Sequence, residues 1–82
     1  MICTQATEQA MDFCAAALRL GLGLEVQPQG RGRYGLRTRD LDEGNALWWL
    51  LADGVPCERV DRCLLQEGID AFCARAEALG AR

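Results

Sequence analysis

The sequence predicts an α+β fold: an N-terminal helix, a three-stranded antiparallel sheet in meander order, and two C-terminal helices packed on one face of it. Three observations carry that expectation. Residues 4–20 place apolar side chains at the helical period, residues 22–39 alternate with a period of two on either side of a Pro/Gly turn, and residues beyond Pro56 return to the helical period. With 82 residues there is room for one core, so 1–82 reads as a single domain. A composition of 50% hydrophobic and 26% charged residues belongs to a chain that folds, because disorder needs low hydrophobicity with high net charge.

The first helix, 4–20, gathers Ala6, Ala10, Met11, Phe13, Cys14, Ala17, Leu18 and Leu20 on one side, with Gln5, Glu8, Gln9, Asp12, Ala16 and Arg19 on the other. Thr4 is its expected N-cap, and Gly21 the left-handed residue that ends it. Leu22, Leu24 and Val26 then alternate with Gly23, Glu25 and Gln27 as a strand that Pro28 stops. After the turn 28–32, a second strand over 33–39 points Tyr34, Leu36 and Thr38 inward and Arg33, Gly35, Arg37 and Arg39 outward, completing a hairpin.

Residues 40–45 read as another turn. The run 46–52, Ala-Leu-Trp-Trp-Leu-Leu-Ala, is apolar throughout and holds both tryptophans. Periodicity does not settle such a run. Its length and its flanking turn residues favour a third strand, with Leu47, Trp49 and Leu51 on one face and Trp48 and Leu50 on the other, although Leu and Ala by themselves favour helix. Asp53-Gly54 breaks the chain, and Pro56 suits a first helical turn. The stripe Cys57, Val60 and Leu64 differs from the later stripe Leu65, Ile69, Phe72, Ala76 and Leu79 by about 110° at ~100° per residue. That mismatch predicts a break at Gly68, with Asp70 capping the last helix and Gly80 ending it.

The residue inventory narrows the chemistry. There is no histidine, lysine or serine, so the common nucleophile, general-base and Schiff-base schemes are missing and the expectation is a protein without catalytic activity. The five cysteines include no Cys-x-x-Cys pair; the nearest two, Cys57 and Cys63, would diverge by about 240° on a helix, so no metal or other cofactor is expected. Several fall at apolar-face helical positions, and as a set they read as reduced core or incidental thiols. Asp40, Asp42 and Glu43 lack the calcium-loop pattern and read as turn formers. The N-terminus has no signal-peptide character, and no stretch is long and apolar enough for a membrane span, which points to a cytoplasmic protein without a membrane partner.

Two surfaces remain as candidates for binding. Arg31, Arg33, Arg37 and Arg39 form a basic stripe with Tyr34 at its edge, able to grip phosphate and hence nucleic acid, although the net charge of −3 and the nearby Glu25, Asp40, Asp42 and Glu43 oppose it. The other is the apolar run itself. As the edge of a meander, Leu47, Trp48, Trp49, Leu50 and Leu51 would pair with another chain unless covered, and one layer of helices covers only one face of a sheet. The preferred reading is thus a small protein-interaction module, homodimeric through the third strand. A nucleic-acid-associated regulator using the arginine stripe is the first alternative, and a compact inhibitor or adaptor of another protein, of the kind mobile elements carry, is the second.

Overall fold

In a computed structural model, which describes residues 1–80, the chain is an α+β domain of one three-stranded antiparallel sheet and three α-helices, the last of which packs on the second. The elements are β1 (Ile2–Gln5), α1 (Glu8–Arg19), β2 (Glu25–Pro28), β3 (Arg33–Arg37), α2 (Leu41–Ala52), a 3₁₀ turn (Cys57–Arg59) and α3 (Arg62–Gly80). The strand order is β1-β3-β2, so the hairpin strand β3 is central.

The α+β class and the three antiparallel strands agree with the sequence reading, but the sheet is not a meander and its third strand is not 46–52. That strand is β1, which sits on the far side of β3 with Ile2 opposite Leu36 and Thr4 opposite Tyr34. Four residues are too few for alternation to stand out from the helix that follows. Helix α1 accordingly starts later than Thr4. Thr7 is the N-cap, its hydroxyl accepting from the Ala10 amide at 3.1 Å, and Thr4 belongs to the strand. The other end is as expected: Gly21 takes φ of 68°, and the Leu22 amide closes back on the Ala17 carbonyl at 3.0 Å.

The hairpin register follows the alternation, with Val26 opposite Leu36 and Glu25 opposite Arg37. Leu22 has left the strand, because Gly23 at φ of 70° turns the chain and lets Leu22 enter the core. In the tip, Gly30, Arg31 and Gly32 all have positive φ, and Arg31 carries the steric penalty that glycine escapes.

The largest departure is 46–52, which lies within the helix α2. Asp40 is not a turn former but an N-cap, its carboxylate accepting from the Asp42 amide at 2.8 Å, and Asp42 and Glu43 form the acidic first turn that a helix dipole favours. The apolar run then continues a three-turn helix instead of making a two-turn one. A helix apolar on nearly all sides needs neighbours on nearly all sides. α1 lies on one flank, with Phe13 and Trp48 meeting edge to face at 5.6 Å, and α3 on another, with Ala46 and Leu50 against Gly68. The core runs through these layers as Phe13, Ala17, Leu36, Leu47, Val60 and Leu65.

α3 begins at Arg62, after the 3₁₀ turn and an extended Val60, and Asp61 caps it by accepting from the Leu64 amide at 2.8 Å. Arg19 pins this turn to α1 by donating to the Cys57 and Val60 carbonyls, each at 2.7 Å. The expected break at Gly68 is absent: α3 runs unbroken to Gly80, so Asp70 is an interior residue and not a cap. The two apolar stripes do not share one helix: Cys57 and Val60 of the first lie before α3, in the 3₁₀ turn and the extended residue after it, whereas the second starts in the core at Leu65 and ends in a groove beside α2. Gly68 is not required by its surroundings either. An alanine Cβ there would sit 3.5 Å from the Ala46 Cβ, an ordinary contact. Gly68→Ala is therefore expected to raise stability by about 0.5–1 kcal/mol through helix propensity, as a shift of the urea midpoint will show.

Candidate protein-interaction surface

The helical geometry of α2 distributes the five apolar candidates around its axis. Leu47 is 0% exposed in the core, and Trp48 is half-buried against Phe13. Leu51 turns toward Val55 and Pro56, beside Glu8 and Gln9 of α1. Only Leu50 and Trp49 reach the other flank, where Trp49 is 58% exposed. As an edge strand this segment would have offered backbone groups to a partner; as a helix it satisfies them internally and offers side chains.

Those side chains form one wall of an open groove of about 520 Å³, built by Ala46, Trp49, Leu50 and Asp53 of the α2 segment. The opposite wall is the outer half of α3, where Phe72 and Leu79 are 40% and 64% exposed with Ala76 between them. Spacings of three and four residues place all of these on facing stripes. The α3 residues carried a signal in the sequence, the turned second stripe, but it reads equally well as core. Asp53 and Arg75 stand at the groove as its two charged members. Among the described residues the ion pairs are Arg37 with Glu25 and Arg62 with Glu43, and neither includes Asp53 or Arg75.

A second apolar groove, of about 320 Å³, lies between α1 and the inner face of the hairpin, lined by Ala10, Met11, Cys14, Val26, Tyr34 and Leu36. No charged side chain lines it.

The arginine stripe is not assembled as one row. Arg33 and Arg37 share the outer face of β3, but Arg37 is bound to Glu25 across the hairpin. Arg31 sits in the tip with positive φ, and Arg39 lies beyond the strand with its side chain over Gly23. Tyr34 faces the helix side, away from Arg33 and Arg37, so it offers that face no ring to stack on.

The carboxylates of residues 40–43 act locally. Asp40 and Asp42 serve the α2 N-terminus, and Glu43 lies 3.6 Å from Arg62. All five cysteines are free, but they are not core thiols: Cys3 and Cys63 are exposed, and Cys14, Cys57 and Cys73 are only half-buried. The Cys57 thiol donates to the Glu58 carboxylate at 3.4 Å; that hydrogen bond, then burial and the charges of Asp12 and Glu58, push its pKa up. Burial does the same to Cys14. A raised pKa keeps a thiol protonated at neutral pH and makes it a poor nucleophile. Among the described residues no three His, Cys, Asp or Glu side chains converge as a metal site, and no helix is long and apolar enough to cross a membrane. No protein-family model matches this chain, and neither curated proteins nor solved structures provide a match.

Proposed function

We propose that this is a non-enzymatic protein-interaction module whose binding surface is the groove between α2 and the outer half of α3. The observation that supports this reading is a largely exposed Trp49 facing exposed Phe72 and Leu79 across a preformed apolar groove. Tryptophan concentrates binding energy at interfaces, where its large apolar ring is removed from water. Five unpaired thiols further support a reducing compartment, the cytoplasm in the simplest case.

The test is photo-crosslinking in the producing cell with a benzophenone amino acid in place of Trp49, and with the same group in place of Gln27 on the outer face of the sheet as control. A discrete protein adduct, with this chain or another, is expected from position 49 alone. Absence of adducts, or the same adducts from position 27, would overturn the assignment.

A further inference from the structure

We infer that the outer face of the sheet is a second binding surface, which takes the phosphate backbone of a nucleic-acid duplex on Arg31, Arg33 and Arg37. It shares no residue with the α2–α3 groove, and its fate is independent of that groove's. Three observations argue for it.

The first is the segregation of charge. Residues 22–39 hold four arginines and one carboxylate, whereas residues 40–80 hold nine carboxylates and three arginines. Within the three strands Glu25 is the only acid. The net charge of −3 does not decide what such a chain attracts, because charges are screened beyond about 10 Å at 0.1 M salt and the local sign of a face prevails.

The second is the register, which gathers the basic residues of β3 on one open face. Gln5 stands opposite Arg33, Cys3 and Gln27 flank Gly35, and Glu25 stands opposite Arg37. Directly opposed residues share a face, and every side chain of this one is exposed. Arg31 adds an exposed cation at the hairpin tip. Of these three arginines only Arg37 belongs to an ion pair among the described residues, and its partner is Glu25.

The third is what the face lacks. A protein partner is held by a desolvated core of apolar and aromatic anchors. Among the described residues the one large apolar side chain here is Met1, laid over Gly35 with its sulfur accepting from the Gln29 amide at 3.4 Å. Phosphate needs no such core. It is held by cations and amide donors, and the guanidinium forks, with Gln5, Gln27 and Gln29 beside them, supply both. Tyr34 faces α1 instead, which removes the base stacking that holds single strands and leaves the backbone of a duplex as the ligand.

The experiment is fluorescence anisotropy of a labelled DNA duplex titrated with the full chain at rising salt. Wild type is compared with Arg33→Glu, Glu25→Gln and Arg75→Glu, each shown to be folded by circular dichroism. The expected result is binding at low salt whose log K falls against log salt with a slope of about −3, one phosphate per arginine. Arg33→Glu weakens binding at least about tenfold and reduces the slope by about one. Glu25→Gln releases Arg37 and removes a repelling carboxylate, so it tightens binding about threefold or more. Arg75→Glu makes the same charge change on α3 and alters binding less than about twofold. No binding at low salt, an Arg33→Glu loss no larger than that of Arg75→Glu, or a Glu25→Gln variant that binds no tighter would overturn the assignment. So would polyglutamate displacing the duplex at equal charge, which would make the ligand an acidic protein segment.

Discussion

Leu47→Ala is expected to cost about 2–5 kcal/mol of folding stability, while Trp49→Ala costs about 1 kcal/mol when measured at protein concentrations low enough to keep the chain monomeric. The two residues are two positions apart in one apolar run, and in a strand they would share a face and respond alike. In α2 they do not. Leu47 is 0% exposed and touches the core, so its truncation leaves a cavity, whereas Trp49 is 58% exposed and its ring is mostly in water already. Urea unfolding of both variants decides the matter. Losses of similar size would return 46–52 to a strand and dissolve the groove with it.

Gly44→Ala is the second large effect, and its sign runs against propensity. Alanine in a helix interior ordinarily gains about 0.5–1 kcal/mol over glycine, as at Gly68. At Gly44 the added Cβ would come well inside van der Waals contact distance of the Thr38 hydroxyl oxygen. Thr38 has little freedom to yield: it is buried, and its hydroxyl donates to the Asp40 carbonyl at the start of the same helix. Overpacking costs about 1–3 kcal/mol, so a net loss of ~1–2 kcal/mol is expected. Thr38→Ala in the same chain should relieve most of the clash, giving a double variant more stable than the sum of the single losses. A stabilising Gly44→Ala would mean that the β3–α2 connection is looser than its hydrogen bonds imply.

The parts of the fold that the sequence makes legible are those where local chemistry and tertiary packing agree. The Glu25–Arg37 register is one, because alternation fixes which residues of a hairpin share a face. Gly21 is another, because the left-handed cap suits glycine whatever packs nearby. The failures come where packing overrides pattern. β1 is specified mainly by its partner β3, and four residues of it carry too little periodicity. The run 46–52 is apolar on nearly all sides because neighbours approach from several directions, which removes the amphipathic signal that distinguishes helix from strand. A correct signal was present just before it, in Asp40 followed by Asp42 and Glu43, but carboxylates beside a glycine fit a turn equally well. Of the residues that the sequence singled out for binding, only Trp49 and Leu50 line the candidate groove. Its second wall was not legible, because Phe72, Ala76 and Leu79 are indistinguishable in sequence from a core stripe.

The adjacency of Trp48 and Trp49 has an optical consequence. One helical step separates an indole held edge-on to Phe13 from one facing water. The first emits from an apolar site and reports whether the core is intact. The second is open to dissolved quenchers, and covering the groove would shield it. The chain thus carries two intrinsic fluorophores side by side, one tuned to folding and one to occupancy, and replacing either residue with phenylalanine isolates the signal of the other.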